Sequence, residues 1–229
     1  SEVGGNITDY VDEKTAGDLI AYADSIYCEF GANTEVHGLN DRKVEEIRYE
    51  CSKHNIKLIP CPVRHLGTER AFEVLRAMYV HLIENTKTQF SELTTAKEIL
   101  VKDGQVQGVV LDKAGQTYTV YANNIVAAPG RGGADWLTNT VRKLGIGTEN
   151  NEVDIGVRVE VPNSIMDHLT QHLYEAKMVY YSDTFENKVR TFCMNPGGVV
   201  SEEHYENGIA VVNGHSYADP NLRTENTNF

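Results

Sequence analysis

The feature that most constrains the fold is the succession of elements predicted between residues 88 and 144. Short strands of alternating apolar residues are predicted at 88–93, 96–101, 105–111 and 117–121, and hairpin turns at 102–104 and 112–115. The apolar run 124–128 then predicts a buried parallel strand, and a helix is predicted over 133–144. This order predicts a mixed α/β fold with a glycine-rich turn at the carboxyl end of a sheet.

The turn itself consists of Pro129, Gly130, Arg131, Gly132 and Gly133. Its glycines allow a ligand to approach main-chain N–H groups closely, and the start of the following helix favours negative charge. The pattern therefore predicts a binding site for a phosphate-bearing ligand. An ordinary tight connection between a strand and a helix would give the same pattern.

The remaining patterns divide the chain into three parts. Apolar residues at helical spacing predict helices over 6–30, from a cap at Asn40 or Asp41 to about 54, and from Thr68 onward. A short strand is predicted at 56–60, a strictly alternating strand at 155–161, a helix at 165–173, and strands at 178–181, 189–193 and 209–212. We therefore expect a helical segment at 1–60, a second part at 61–150 with the meander and the turn, and a β-rich domain at 151–229, with the boundary at 145–152.

Composition narrows the choice of partners. The net charge of -12 and the isoelectric point near 5.1 would repel a nucleic-acid backbone or an anionic membrane surface. The acidity therefore favours small molecules or other proteins as partners, and we expect a small-molecule substrate. No apolar run approaches the roughly 18 residues that a membrane span needs. The four cysteines are far apart and lack metal-binding spacing, which favours reduced thiols in the cytoplasm and no metal site. The oligomeric state is left open.

The ends of the sequence suggest a portion of a longer protein. The chain begins at Ser1 rather than at methionine, and its last residues do not complete a predicted element. We therefore expect it to be an internal fragment.

Two motifs carry a resemblance to a known superfamily. The segment Ala127-Ala128-Pro129-Gly130 matches the A-T-G or A-P-G motif that follows a β-meander in two-domain flavoproteins similar to glutathione reductase. Residues 94–99 resemble the T-x-V-x-x-I strand of those proteins, with Ala96 in place of the usual valine. The resemblance implies that main-chain atoms at Ala96 and at Pro129, Gly130, Arg131, Gly132 and Gly133 contact FAD.

The chain also resembles a family of bacterial and archaeal FAD-dependent dehydrogenases. The shared landmarks lie at 2–5, 64–69, 128–136, 154–162, 190–193 and 212–215. This resemblance implies part of an FAD/NAD(P)-binding domain followed by part of a substrate domain. The implied activity of the parent protein is hydride transfer between an organic substrate and FAD, with NAD(P)H as a candidate electron partner.

One part of the family pattern is absent. The 229 residues contain no strand–G-x-G-x-x-G–helix unit, which the family uses to hold the FAD pyrophosphate. The resemblance places that unit upstream of residue 1, so the fragment alone is expected to be inactive. The alternatives are a non-catalytic module that binds a nucleotide or a protein, and an inactive core fragment of an active parent.

Three side chains are candidates for catalysis. Arg64 and His65 offer a cation and an acid–base group on a loop before a helix, although they would equally suit a structural ion pair. Arg158 can bind a substrate carboxylate, or it can pair with Glu160 on the same strand face. Cys193 has no partner at redox spacing and is expected to be a packed thiol.

Overall fold

A computed structural model of the chain describes residues 5–39, 42–150, 153–204 and 208–229. The described part is a mixed α/β structure with several small antiparallel sheets, which confirms the predicted class. Most of the landmark at 2–5 and the predicted caps Asn40 and Asp41 lie outside the described residues. None of the described helices combines the length and the apolar character needed to cross a bilayer.

The helices lie where they were predicted, whereas the strands agree only in part. The helices are α1 (Glu13–Glu29), α2 (Arg42–Ser52), α3 (Thr68–Asn85), α4 (Ala134–Lys143) and α5 (Asn163–Leu173). The first six strands are β1 (Lys57–Leu58), β2 (Thr94–Lys102), β3 (Gln105–Lys113), β4 (Gln116–Tyr121), β5 (Glu160–Pro162) and β6 (Met178–Tyr181). The remaining strands are β7 (Lys188–Arg190), β8 (Asn195–Pro196), β9 (Val199–His204), β10 (Ala210–His215) and β11 (Asn226–Asn228).

Contacts divide the chain into two compact units. Unit 1 comprises residues 1–86, 157–203 and 211–229, and unit 2 comprises residues 87–156 and 204–210. The predicted three-part division is not the same, because the chain leaves unit 1 after α3 and returns to it at residue 157. The predicted boundary at 145–152 includes residues 151 and 152, which lie outside the described part. Those domain limits stay a prediction for the whole protein.

Unit 1 is organised around a small apolar core. Two antiparallel sheets, in the orders β1-β6-β7 and β5-β11-β8, lie in this unit together with α1, α2, α3 and α5. The core joins Val44 of α2 and Leu58 of β1 to Met166, Leu169 and Leu173 of α5. These three positions of α5 follow helical spacing and therefore form one buried face, which holds the end of the helix firmly in place.

Unit 2 contains the predicted meander. Strands β2, β3 and β4 pair antiparallel in sequence order, with Ala96 opposite Leu111. Both tight turns have two consecutive residues with positive φ, Asp103-Gly104 and Ala114-Gly115. Such turns match the twist of the strands that they connect, and the predicted hairpins are confirmed.

Three predicted strands are wrong in whole or in part. Residues 88–93 and 124–128 form no strand, and the strand expected at 155–161 is reduced to β5. Most apolar residues of these segments are exposed, with Val126 at 91% and Ile155 at 94%, whereas Val161 packs against the core. A buried strand needs neighbouring strands to bond its backbone, and the described residues supply no such neighbours at 124–128.

Candidate functional site

The glycine-rich turn of unit 2 is exposed and leads directly into α4. Gly130 has φ +65°, a conformation that favours glycine, and a short 3-10 helix spans Arg131–Gly133. A Cβ atom on Gly133 would clash with the ring of Pro129, so this glycine is required by packing. A Cβ atom on Gly132 would meet nothing within 4 Å, so this glycine is open to a ligand without being needed by its neighbours.

Trp136 connects this turn to the first strand of the meander. Its indole Nε1 donates a hydrogen bond to the carbonyl oxygen of Lys97 at 3.3 Å. Lys97 lies at an irregularity in the pairing of β2 with β3, between Ala96 and Glu98. The two sequence motifs assigned to FAD contact are therefore linked within unit 2 through α4. Whether FAD contacts them stays a prediction.

Unit 1 contains a cavity of about 520 Å³, within the usual size range of small-molecule sites. Its lining includes two histidines, two arginines, an aspartate and a tyrosine: His37, His65, Arg70, Arg223, Asp167 and Tyr174. Of the three residues predicted to act in catalysis, only His65 lines it.

His65 and Tyr174 form the most closely coupled pair in the cavity. The Tyr174 hydroxyl and His65 Nε2 are hydrogen-bonded at 2.8 Å, and their rings stack with centroids 4.1 Å apart. Burial, together with the nearby charges of His37 and Arg223, lowers the pKa of His65 to about 4. Burial raises the pKa of Tyr174 to about 12. Both groups are therefore neutral at neutral pH, and the pair presents hydrogen-bonding groups rather than charges.

Tyr174 is held in a strained backbone conformation. It follows α5 directly with φ 58° and ψ -58°, and the N–H of Glu175 bonds the carbonyl oxygen of Leu173 at 2.7 Å. This is the rarer type of γ-turn, which non-glycine residues seldom adopt. Strain of this kind persists only where the surroundings impose it, and it occurs most often at functional sites.

Next to this pair, the landmark at 64–69 contacts the residues that follow the landmark at 212–215. The N–H of Thr68 bonds the carbonyl oxygen of Ser216 at 3.2 Å, and the N–H of Asp219 bonds the Glu69 carboxylate at 2.7 Å. The buried Ser216 also hydrogen-bonds the Tyr174 phenol. The segment 64–69 is therefore docked onto the chain that follows the landmark at 212–215, and their meeting places His65 beside Tyr174.

Arg64 and Arg158 are engaged elsewhere. Arg64 forms a bidentate ion pair with Asp24 of α1, at 2.7 and 2.9 Å, and also bonds the carbonyl oxygen of Asn33 at 3.0 Å. This pairing holds the pKa of Asp24 below its usual value. Arg158 donates to Asn228 Oδ1 at 2.7 and 2.9 Å, whereas Glu160 accepts from Asn226. The alternative pairing of Arg158 with Glu160 is wrong within the described residues, and a catalytic role for either arginine stays a prediction.

Sequence reasoning missed most of the cavity. Tyr174, Arg70 and Arg223 were not singled out, and Glu69 was read only as part of a motif. Arg70 follows the landmark 64–69 directly, so extending that motif by one residue would have included it. No local pattern marks Tyr174, because its importance depends on contacts with residues that are distant in sequence.

Comparison with known proteins supports the cofactor class. Residues 152–229 match the family model described as FAD-dependent protein, C-terminal domain-like. A protein of Clostridium beijerinckii described as an uncharacterized protein is 27% identical over 175 residues, which cover 71% of this chain and 31% of that relative. The chain thus spans about a third of the length of the curated relative that it matches. No solved structure matches the chain significantly. The match supports an association with FAD-dependent proteins.

Proposed function

We propose that the chain is a portion of an FAD-dependent oxidoreductase that transfers a hydride between an organic substrate and FAD. In this proposal the glycine-rich turn of unit 2 forms one wall of the FAD site. Taken by itself, the cavity of unit 1 is a candidate substrate site. The match of residues 152–229 to an FAD-dependent family model supports the cofactor.

The observation that carries the proposal is the open glycine in the turn. Gly132 has no neighbour within 4 Å at its Cβ position, and its segment is anchored to β2 through Trp136 and Lys97. An exposed main chain on a fixed support suits a ligand that must be contacted through backbone atoms. Asp135 lies in the first turn of α4 and would disfavour a phosphate close to it, so an uncharged part of FAD fits this position better.

The residues present therefore fit the cofactor at one wall. Ala96 on β2 and Pro129 to Gly133 would hold FAD through main-chain atoms. When bound, FAD supplies the hydride chemistry, and the protein positions the substrate. Within unit 1, the neutral Tyr174 hydroxyl and the neutral His65 imidazole can orient a substrate by hydrogen bonds without requiring a charged partner.

We expect Gly132→Leu in the whole protein to lower flavin occupancy strongly while leaving the free energy of unfolding nearly unchanged. The reason is that the new side chain would fill space that the protein's own atoms leave open. Gly147→Leu is the matched control, because Gly147 also lies in unit 2, has no positive φ, and has no atom within 4 Å of its Cβ position. The measurement is the ratio of visible flavin absorbance to protein concentration in the purified variants.

Equal flavin occupancy in the two variants would contradict a role for the turn in FAD binding. Gly133 is unsuitable for this test, since any side chain there would clash with Pro129 and destabilise the turn itself.

A second candidate is that this chain alone is an inactive core of an active parent. The exposure of Val126 and Ile155 favours it, because apolar residues at strand spacing normally pack against further chain. Separate purification of the chain and the whole protein tests this candidate. A colourless chain beside a yellow whole protein supports it, and a chain that retains flavin by itself contradicts it.

A further inference from the structure

Charged groups of both signs line the cavity of unit 1, and one of them, Glu35, lies 4.0 Å from Nδ1 of the lining residue His37. Arg70 and Arg223 supply positive charge, and Glu35 and Asp167 supply negative charge. Within the described residues, no ion pair joins either arginine to either carboxylate, and the side chains of Arg70 and Asp167 form no hydrogen bond. Opposite charges that share a cavity without meeting can be joined by a ligand that carries both signs.

Arg223 is fixed in position before any ligand binds. Its Nε donates to the carbonyl oxygen of Tyr217 at 3.1 Å, and its Nη2 donates to that of Ala218 at 3.4 Å. Its aliphatic stem lies against Gly197, where an added Cβ atom would approach the Arg223 side chain to 3.0 Å. The remaining guanidinium donors, including Nη1, stay available, and a fixed cation of this kind binds a carboxylate at a low entropic cost.

The inner wall adds hydrogen bonds without charge. Tyr174 is strained at its backbone and is held at its hydroxyl by His65 and Ser216. These contacts fix the Tyr174 phenol in the wall of the cavity, although the γ-turn at Tyr174 is an unfavourable backbone conformation. Backbone strain of this kind is rarely retained without a role for the residue.

We propose that the cavity of unit 1 binds a small zwitterionic organic acid of the α-amino acid class, with its carboxylate on Arg70 and Arg223 and its ammonium group on the side of Asp167 and Glu35. The balanced charge argues against a simple anion, because two carboxylates would repel it. The volume of about 520 Å³ suits a small molecule. This inference rests on the proposed function, in which the cavity is the substrate site. Binding of the amino acid itself requires no flavin.

The test uses the whole protein and a mixture of the proteinogenic L-amino acids, observed by ligand-detected NMR. We expect at least one amino acid to bind, and its deaminated acid and decarboxylated amine to bind about tenfold more weakly or worse. Failure of every amino acid to bind would overturn the proposal. Equal binding of the deaminated acid would also overturn it, because the site would then be one for simple anions.

Variants on a single helix give the matched comparison. Arg70→Met is expected to weaken binding by about tenfold or more, since a charge-assisted hydrogen bond is lost. Arg76→Met is the control, because Arg76 lies on the same helix, is exposed, and does not line the cavity. Both side chains are exposed, so both variants should fold, and equal affinities would overturn the proposal.

The outcome separates this inference from the proposed function. An amino acid that binds the whole protein although that protein contains no flavin would contradict only the oxidoreductase proposal. A flavin-containing whole protein whose cavity ignores amino acids would contradict only the assignment of the ligand.

Discussion

At the scale of single residues, neighbours in sequence have opposite environments. Arg64 directs its guanidinium to Asp24 and serves to fasten α1, whereas His65 faces the cavity and contacts Tyr174. The two adjacent residues of this loop thus have different partners, Asp24 for Arg64 and Tyr174 for His65. A substitution at His65 therefore tests the cavity while leaving the ion pair between Arg64 and Asp24 in place.

The depressed pKa of His65 predicts a pH dependence of stability. The unfolded chain binds a proton at this residue below about pH 6.5, whereas the folded chain resists protonation until about pH 4. The free energy of unfolding should therefore fall as the pH is lowered through this window, and the His65 contribution should be fully present above it. We expect protonation of His65 to lower the free energy of unfolding by about 1–2 kcal/mol. This is less than the whole pKa shift would give, because the side chain is partly solvated.

Urea unfolding at several pH values between about 4 and 7.5 measures this contribution. His65→Gln should show a shallower loss of stability on acidification than the wild type. His168→Gln, which removes an exposed histidine of α5, should retain the wild-type slope. Parallel profiles for the wild type and His65→Gln would show that His65 is not held neutral.

The residues of the cavity were only partly predictable. His65 was singled out because it is an acid–base group beside the cation Arg64, just before Gly67 and Thr68 open a helix. The role of Tyr174 could not be predicted, since it depends on a γ-turn at the end of α5 and on contacts more than a hundred positions away in the chain. Composition and spacing contain no information on such contacts.

At the scale of elements, the sheet of β5, β11 and β8 depends on one buried amide. Asn228 is fully buried, and its Oδ1 accepts hydrogen bonds from Arg158 and from Asn195 Nδ2 at 3.2 Å. It thereby joins the three strands or their immediate flanks through one oxygen atom. Gly214 faces the same cluster and has no room for a side chain.

Asn228→Ala should lower the free energy of unfolding by about 2–3 kcal/mol, because it leaves the partly buried Arg158 guanidinium without its acceptor. Asn226→Ala on the same strand should change it by no more than about 0.5 kcal/mol, since Asn226 bonds the exposed Glu160. Chemical denaturation of the two variants provides the comparison. Similar losses of unfolding free energy in the two variants would indicate that the Asn228 amide does not hold the three strands together.

The elements were predictable where the pattern was local. The meander was confirmed with both of its turns, because hairpins are specified by alternation and by glycine at the turns. The strand expected at 124–128 was wrong, because a parallel strand is specified by partners that its own residues do not reveal. Strand β11 was missed, since a three-residue strand of Asn and Thr has no apolar alternation.

At the scale of the whole molecule, the chain interleaves its two units. Residues 87–156 form most of unit 2, and the flanking segments form most of unit 1. A linear division with its boundary at 145–152 could not anticipate this, since composition changes along the sequence whereas a unit is defined by contacts. The mixed α/β class was nevertheless predictable from the order of helices and strands.

The central claim is that this chain belongs to a flavin-dependent oxidoreductase. Its most direct measurement is the visible absorbance spectrum of the purified whole protein, before and after reduction with dithionite. The account predicts the absorbance bands of oxidised flavin, bleached by the reductant. A colourless whole protein that takes up no added FAD would contradict it.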